Sequence, residues 1–199
     1  MRIIAGEFKS RRLLSPPEDW AVRPITDRVK ESVFSQLRGH CEGAAWFDAF
    51  AGSGAIGLEA VSRGAARCVF IEKDRGVSEM LRANVAALKA EDRCEVVTGD
   101  ALGAGALARC PRPCTVVFLD PPYPLVNEPV GWGRVRDHAS RLAECLADDG
   151  FLLIRTPWPF THTTPSEEAK PVELGVAGAV GPETHVYGSM AVHFYARAK

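Results

Sequence analysis

The sequence predicts an α/β fold built on a mostly parallel β-sheet, and three observations favour it. Strand-like and helix-like segments alternate between residues 45 and 156. The strand-like segments are apolar throughout, as expected of parallel strands that are covered on both faces. A glycine-rich turn follows the first of these strands, at the edge where such sheets bind ligands. The length of 199 residues and the 46% hydrophobic content suit one domain with a large core.

The chain is expected to begin with a short arm. Residues 1–22 mix short apolar pairs with basic residues, and they are too short and too polar to form a core of their own. We therefore predict an N-terminal basic arm or hairpin over residues 1–22, followed by the main domain over residues 23–199. A helix is expected from Thr26-Asp27 to Gly39, because apolar residues recur there at helical spacing.

The alternating region predicts five strands with helices between them. Strands are predicted at residues 45–50, 67–72, 94–99, 115–120 and 151–156. Helices are predicted through residues 57–62 and at residues 76–90, 101–109 and 134–147. Beyond residue 157, PVELGV (171–176) and SMAVHFYAR (189–197) predict two more strands without a helix between them. Such strands pair as an antiparallel hairpin, so we expect seven strands with this hairpin at the sheet edge.

The composition argues against several classes of protein. Twenty-four Lys and Arg against 25 Asp and Glu leave a net charge of −1, so no global basic field marks a nucleic-acid binder. The six cysteines are scattered, and Cys110 and Cys114 alone form no metal signature, so we predict unpaired buried thiols and no metal. No apolar stretch reaches the roughly 18 residues of a membrane span, and no signal-peptide pattern is present. A soluble, cytoplasmic protein without a membrane partner is expected.

The turn after the first strand predicts a nucleoside-binding site. The segment FDAFAGSGAIGLEA carries Gly52-x-Gly54-x-x-Gly57, in which glycines permit a tight turn and let a ligand approach bare backbone. Glu72 ends the next strand, where a carboxylate can accept hydrogen bonds from ribose hydroxyls. Close packing of the helix on the strand is the alternative explanation of the glycines.

The acids near this turn favour a cationic ligand over a dinucleotide. In the pattern Asp48-x-Phe50-x-Gly52, an acid directed into the site would repel a pyrophosphate. S-Adenosylmethionine carries an ammonium and a sulfonium group and no phosphate, so it suits such a site. Asp100, after the third strand, can accept a hydrogen bond from the adenine amine. The alternatives are that Asp48 caps the turn and that Asp100 caps a helix.

The fourth predicted strand ends in Asp120-Pro121-Pro122-Tyr123, within VVFLDPPYP. Proline fixes φ and has no N–H, so the two prolines give a stiff backbone without donors. The Asp120 carboxylate and the Pro121 carbonyl are then two acceptors at a set spacing. Tyr123 adds a flat face on which a base can stack. The alternative is that the prolines only end the strand and that Tyr123 packs under a loop.

Two acceptors beside a stacking face match the exocyclic amine of a nucleobase. The lone pair of such a nitrogen is delocalised into the ring, so the amine is a poor nucleophile. Hydrogen bonds accepted from its two N–H groups draw the nitrogen towards tetrahedral geometry, and the lone pair can then attack a sulfonium methyl. Because the ends of parallel strands meet at one edge, Asp120 is expected to face the same crevice as Gly52 and Glu72.

With these residues in place, the sequence resembles the RsmD family of bacterial small-subunit (16S) ribosomal RNA guanine-N2 methyltransferases. The resemblance covers nearly the whole chain, through MRIIAGEFKSRRL, RPITDRVKESVFSQL, DAFAGSGAIGLEAVSRGA, IEKD and DPPYP. It implies a Rossmann-like methyltransferase fold, S-adenosylmethionine as cofactor, and ribosomal RNA or the assembling small subunit as partner. The candidate cofactor-binding residues are Asp48, Phe50, Gly52, Gly54, Glu72 and Asp100, and the candidate catalytic residues are Asp120, Pro121, Pro122 and Tyr123.

The basic arm is the candidate RNA contact, because its cations can bind phosphates, although a short basic arm is often only a solvated surface. The candidate substrate-binding residues are Arg2, Lys9, Arg11, Arg12 and Arg23. The resemblance also implies that Arg23, Thr26 and Asp27 lie near the active site, with a helix cap as the alternative. Two features depart from the resemblance: residues 125–136 are longer than expected, and the fifth strand runs into Arg155-Thr156-Pro157, where members often carry an acid.

Three other functions suit parts of the pattern. The Asp120 motif would equally serve adenine-N6 methylation of DNA. The glycine turn would also serve a nicotinamide-dependent oxidoreductase. An RNA-binding assembly factor with a silent site is the third alternative.

Overall fold

The computed structural model describes residues 1–15, 25–162 and 170–198, in which helices and strands alternate along most of the chain. The helices are α1 (Asp27–Gln36), α2 (Ala55–Ser62), α3 (Arg75–Leu88), α4 (Ala104–Arg109), α5 (Tyr123–Val126) and α6 (Pro129–Ala143). The strands are β1 (Ala45–Ala49), β2 (Arg67–Glu72), β3 (Cys94–Thr98), β4 (Cys114–Leu119), β5 (Leu146–Pro157), β6 (Thr161–His162), β7 (Lys170–Pro171), β8 (Ala179–Tyr187) and β9 (Met190–Arg197).

Seven strands form one sheet in the order β3-β2-β1-β4-β5-β9-β8. The five strands from β3 to β5 are parallel to one another, and β9 and β8 complete the sheet as an antiparallel hairpin. The predicted seven-stranded, mostly parallel α/β fold is therefore confirmed. Because β2 and β4 lie on opposite sides of β1, the chain direction around the sheet reverses there, and a crevice opens at the carboxyl ends of these strands.

Alternate residues of the strands enter two separate cores. Trp46 of β1 packs on the side of α1, α2 and α3, whereas the neighbouring Phe47 packs on the side of α4 and α6. Both side chains are fully buried. Coverage of both faces is the reason that the central strands read as continuous apolar runs.

One predicted strand is wrong. Of the segment 171–176, only residue 171 is in a strand, β7, which pairs with β6 in a separate two-stranded sheet. The strand that pairs with β9 is β8, which follows later in the chain. Most residues of β8 are half-buried or exposed, because β8 is the edge strand, so it lacks the apolar run by which buried strands are recognised.

The helices after β4 begin earlier than predicted. The prediction placed one helix at residues 134–147, whereas α6 begins at Pro129 and ends at Ala143. The short helix α5 was not predicted. Proline is favoured in the first turn of a helix, where its missing N–H has no intrahelical partner to lose. Prolines in this region therefore lie in the first turns of α5 and α6 and do not interrupt either helix.

The N-terminal arm folds back on itself and docks on α2. Ile3 and Leu13 are buried in the first core. The carboxylate of Glu59 accepts hydrogen bonds from the backbone N–H groups of Ile4 and Ala5, at 2.7 and 3.0 Å. The arm is thus held against the domain by buried side chains and by backbone groups. The predicted boundary between residues 22 and 23 lies outside the described residues.

Candidate active site

A cavity of about 920 Å³ opens at the carboxyl edge of the sheet, where the strand order reverses. Its walls come from the loops after β1, β2, β3 and β4, together with the end of β5 and the N-terminal arm. The candidate residues that line it are Asp48, Phe50, Gly52, Glu72, Asp100, Asp120, Pro121, Pro122 and Tyr123. The structure therefore brings the residues predicted for the cofactor and those predicted for catalysis into one cavity.

The glycines of the first turn have different tasks. Gly52 and Gly54 have φ angles of 55° and 79°, in the left-handed region that glycine adopts without strain. Gly54 is the N-cap residue of α2 rather than part of the cavity wall. A Cβ atom at Gly57 would meet the side chains of Phe70 and Cys68, so this glycine permits close packing of α2 on β2. The packing explanation therefore holds at Gly57, whereas ligand binding at Gly52 stays a prediction.

The backbone of the residue that follows β1 is strained. Phe50 has a φ of 61° and lines the cavity, although it is not a glycine. A non-glycine residue in this region costs about 1–3 kcal/mol and is most often found at functional sites.

Asp48 is buried behind the glycine turn, with 2% of the residue exposed. Its Oδ2 accepts a hydrogen bond of 2.9 Å from the backbone N–H of Gly57, in the first turn of α2. Burial raises the pKa of this carboxyl well above its ordinary value, the hydrogen bond from Gly57 opposes the shift, and the charges of Asp120 and Glu72 add to it. Asp48 therefore binds a backbone N–H of the first turn of α2, whereas the alternative had it cap the preceding turn, and it also contributes to the cavity wall.

Glu72 joins the loops that follow β1 and β2. Its Oε2 accepts from the backbone N–H of Gly52 at 2.9 Å, and its Oε1 accepts from that of Asp74 at 2.8 Å. Each carboxylate oxygen has a second lone pair, so Glu72 can still accept hydrogen bonds from a ligand.

Asp100 forms a local turn after β3. Its Oδ1 accepts from the backbone N–H of Leu102 at 3.0 Å. It does not cap α4, because the N-cap residue of that helix is Gly103. Asp100 is exposed and lines the cavity, so its carboxylate is accessible to a ligand.

Asp120 is paired with a cation from the adjacent strand. Leu119 of β4 pairs with Ile154 of β5, so the next residues, Asp120 and Arg155, are neighbours at the strand ends. The Nε of Arg155 donates to Oδ1 of Asp120 at 2.6 Å. Burial raises the pKa of the Asp120 carboxyl, and the guanidinium of Arg155 acts in the opposite direction.

The carbonyl groups of Pro121 and Pro122 have different hydrogen-bonding roles. The Pro122 carbonyl accepts from the backbone N–H of Leu125 at 2.9 Å and begins α5. No backbone N–H of the described residues bonds the Pro121 carbonyl. Tyr123 is half-buried, and the guanidinium carbon of Arg155 lies 5.8 Å from the centre of its ring.

The candidate substrate-binding cations lie on the outside of the arm. Lys9, Arg11 and Arg12 are exposed. Arg2 instead donates from Nε to Oδ2 of Asp27 at 2.9 Å, which ties the arm to α1. Arg23 lies outside the described residues.

The segment before α1 contains a helix cap. The hydroxyl of Thr26 accepts from the backbone N–H of Val29 at 3.4 Å, as the alternative reading of this residue expected. Asp27 binds Arg2, and Ile25, the residue before Thr26, lines the cavity. A role of Thr26 and Asp27 in the reaction stays a prediction.

Several wall residues were not among the candidates, above all Met1, Arg134 and Arg155. Arg155 was noticed only as a departure from the family. The sequence feature that could have indicated Arg155 is a charged residue at the end of an otherwise apolar strand. Its pairing with Asp120 can be inferred only when β5 is known to lie beside β4.

Within the described residues, no helix combines the length and apolarity required to cross a membrane. Those residues also contain no cluster of three or more His, Cys, Asp or Glu side chains suited to a metal ion. All six cysteines are free, and all except the half-buried Cys94 are buried.

The charges of the cavity fit a cationic ligand with hydroxyl and amine donors. Among the described residues, five acidic and three basic side chains line it, and Arg155 is bound to Asp120; the acids are Asp48, Glu72, Asp74, Asp100 and Asp120. An ammonium, a sulfonium, a ribose diol and an adenine amine all find negative charge or acceptors there, whereas a pyrophosphate would be repelled. The fold and the site define a methyltransferase that uses S-adenosylmethionine.

Comparisons with known proteins identify the family. The family described as "Conserved hypothetical protein 95" matches residues 1–171. Over 166 residues the chain is 39% identical to Ribosomal RNA small subunit methyltransferase D of Escherichia coli K12, covering 79% of this chain and 81% of that protein. The chain belongs to this family, the RsmD family of methyltransferases.

Solved structures share the fold. A putative methyltransferase from Escherichia coli, yhhF, superposes with a TM-score of 0.75 at 33% identity, over 99% of this chain and 97% of that chain. An RNA methyltransferase from Salinibacter ruber, solved in complex with S-adenosyl-L-homocysteine, has a TM-score of 0.60 at 19% identity, over 89% of this chain and 95% of that chain. At that identity the second likeness concerns the fold alone.

Proposed function

We propose that this enzyme transfers a methyl group from S-adenosylmethionine to the exocyclic N2 amine of a guanine in small-subunit ribosomal RNA. The observation that carries the proposal is the position of Asp120 and Pro121. Both line the same cavity as Gly52 and Glu72, so two acceptors for an amine lie in one cavity with the candidate cofactor loop. The name of the Escherichia coli relative supports ribosomal RNA as the substrate. The enzyme would act in the cytoplasm, on RNA or on an assembling subunit.

The cofactor half of the cavity has acceptors for each donor of the ligand. Glu72 accepts from the ribose hydroxyls through its remaining lone pairs, and Asp100 accepts from the adenine amine. Asp48, with Phe50 and the bare backbone at Gly52, forms the floor and supplies negative charge. When bound, S-adenosylmethionine supplies an electrophilic methyl group on a positively charged sulfur.

The catalytic half prepares the nucleophile. The guanine amine donates one N–H to the Asp120 carboxylate and the other to the Pro121 carbonyl. These bonds localise the lone pair on nitrogen, which then forms the N–C bond while the S–C bond breaks. The nitrogen is positively charged after the transfer, so its extra proton is acidic and leaves to Asp120 or to water without a strong base.

Tyr123 provides the surface on which the target base lies. Its ring lines the cavity, and the Arg155 guanidinium carbon lies 5.8 Å from the ring centre. Stacking of a base on an aromatic side chain is worth about 1–3 kcal/mol. In folded RNA, an unpaired base in a loop reaches such a cavity at little cost.

A second candidate function is methylation of adenine N6, because the two acceptors would bind that amine equally well. Membership of the RsmD family favours guanine. A nicotinamide-dependent oxidoreductase is disfavoured by the carboxylates around the glycine turn, which would repel the pyrophosphate of the dinucleotide.

Nucleoside analysis tests the proposal. Small ribosomal subunits and naked 16S RNA from cells lacking the gene are incubated with the protein and isotopically labelled S-adenosylmethionine, and the digested nucleosides are identified by mass spectrometry. We expect label in N2-methylguanosine. DNA is incubated in parallel, and label in its N6-methyladenine would establish the second candidate instead. Binding of NADH without binding of S-adenosylmethionine in calorimetry would contradict both methyl-transfer functions.

A further inference from the structure

The ion pair between Arg155 and Asp120 lies in the cavity wall and is held in place by the surrounding structure. Arg155 is 4% exposed, although it carries a permanent charge. Its Nε donates to Oδ1 of Asp120 at 2.6 Å, and the parallel pairing of β4 with β5 holds both backbones in register. Removing a guanidinium from water is costly unless it is paired, so its burial here indicates a specific role.

The same guanidinium also contacts the residue on the other side of the motif. Its carbon lies 5.8 Å from the centre of the Tyr123 ring, which is within the range of a cation–π interaction. Arg155 therefore touches both ends of the Asp120–Tyr123 corner. A charged side chain that contacts both a catalytic acid and a stacking ring can fix the two relative to each other.

We propose that Arg155 is a positioning residue for methyl transfer: it orients the Asp120 carboxylate, keeps it in the form that accepts a hydrogen bond from the substrate amine, and holds the Tyr123 ring beside it. This inference rests on the proposed function.

The need for such a residue follows from the surroundings of Asp120. Burial favours the protonated carboxyl, and Asp48 of β1 adds a second acid on the same side of the cavity. A protonated Asp120 would present an O–H to an amine that itself offers only N–H donors. The charged and titratable side chains that line the cavity with Asp120 include Asp48 on β1, Glu72 on β2, Tyr123 on α5 and Arg134 on α6, and Arg155 is the cation in direct contact with Asp120.

Arg155 is expected to act through Asp120 rather than on the substrate. Pairing with a cation reduces the charge that Asp120 can offer to the positively charged product, so the gain must come from orientation and from ionisation. The pair uses one lone pair of Oδ1, and no bond to Oδ2 from the described residues competes with the amine. A residue that bound the base directly would retain its effect when Asp120 is replaced.

The first test is the pH profile of kcat for Arg155→Gln, Arg155→Lys and the wild-type enzyme. Arg155→Gln should lower kcat about 10- to 100-fold, the size expected for loss of one hydrogen bond to a charged group, with little change in the affinity for S-adenosylmethionine. Its acidic limb should move to higher pH, because without the cation Asp120 is protonated at higher pH. Arg155→Lys, which retains the charge, should keep the wild-type acidic limb. It also provides the test should Arg155→Gln fail to fold.

Arg197→Gln is the matched control, since Arg197 pairs with Asp148 at the opposite end of β5. It should leave both kcat and the pH profile unchanged. An acidic limb of Arg155→Gln at the wild-type pH would overturn the positioning role. If only Arg155→Lys folds, an acidic limb that differs from that of the wild type would overturn it.

A double-mutant cycle separates the two ways in which Arg155 can act. In an Asp120→Asn background, Arg155→Gln should cause less than a threefold further loss. An equal loss in both backgrounds would overturn the inference, because Arg155 would then act independently of Asp120. These outcomes are distinct from failure of the proposed function, in which the wild-type enzyme itself would not form N2-methylguanosine.

Discussion

The carboxylate of Glu72 accepts a hydrogen bond of 2.9 Å from the backbone N–H of Gly52. The two residues lie at the ends of adjacent parallel strands, β2 and β1. One side chain therefore sets the position of the glycine turn while it lines the cavity in which the cofactor is proposed to bind. The acid and the glycine, 20 residues apart in the chain, form one structural unit.

Glu72→Ala should weaken binding of S-adenosylmethionine by about tenfold or more, because it removes the acceptor for Gly52, the acceptor for Asp74 and the proposed bonds to ribose. Isothermal titration calorimetry measures the change. Glu79→Ala is the matched control, since Glu79 is an exposed acid on α3 that pairs with Arg75 on the same helix. Equal affinities of the Glu72 variant and the wild type would remove Glu72 from the cofactor site.

The exposed cations of the arm should contribute to RNA binding through phosphates. Replacement of Lys9, Arg11 and Arg12 by Gln should reduce the slope of log Kobs against log salt by about 2 to 3, while binding of S-adenosylmethionine is unchanged. Filter binding to small-subunit RNA over a range of salt concentrations gives the slope. Arg109→Gln is the control, because Arg109 pairs with Glu95 on the surface beside β3. A slope that does not change would show that the arm makes no phosphate contact.

Glu59 should be essential to the docking of the arm. It is fully buried, bonds Ile4 and Ala5 through their backbone N–H groups, and lies 3.7 Å from the buried Lys30 ammonium. Glu59→Ala should lower the free energy of unfolding by about 3–5 kcal/mol, because it leaves two amides without their acceptor and removes the buried carboxylate that is paired with the Lys30 ammonium. Urea denaturation measures this, with Glu79→Ala expected to change stability by less than about 0.5 kcal/mol. A loss of similar size in both variants would refute the role of Glu59.

His193 should make the fold sensitive to acid. It is fully buried between the hydroxyls of Thr156 and Thr184, each 2.9 Å from a ring nitrogen, and burial lowers its pKa to about 4. Its ordinary pKa is higher, so between pH 6.5 and about 4 the unfolded chain binds a proton that the folded chain does not. The free energy of unfolding should therefore decrease as the pH is lowered across this window.

The contribution of His193 to the difference in unfolding free energy between pH 7 and pH 4.5 should be about 2 kcal/mol. Denaturation of the wild type and of His193→Gln at both pH values isolates it, since the variant should lose less stability on acidification. Identical losses in the two proteins would show that this histidine does not resist protonation.

The sequence predicted the central sheet and the main parts of the site for a physical reason. Strands β1, β2 and β4 are mostly buried, so each leaves a mainly apolar run, whereas β3 is a half-buried edge strand. Functional residues follow these runs at the carboxyl ends, which meet at one edge. Gly52, Glu72, Asp100 and Asp120 could therefore be assigned to one crevice before any coordinates were known.

The remaining features depend on information that a local pattern does not contain. β8 is an edge strand in which polar and apolar residues are mixed. The start of α6 was not predicted because its first residue is Pro129, and proline usually indicates the end of a helix. The pairing of Arg155 with Asp120 depends on the order and register of β4 and β5. The docking of the arm depends on Glu59, more than 50 residues further along the chain.

The central claim is that the Asp120 carboxylate, with the Pro121 carbonyl, makes the target amine nucleophilic. Single-turnover methyl transfer by Asp120→Ala, measured alongside calorimetric binding of S-adenosylmethionine, tests it most directly. We predict that transfer to guanine slows by about 10²–10³-fold, as on loss of one preorganised polar group in an active site, while cofactor affinity changes less than about threefold. A variant that binds the cofactor normally and transfers methyl groups at the wild-type rate would contradict this claim.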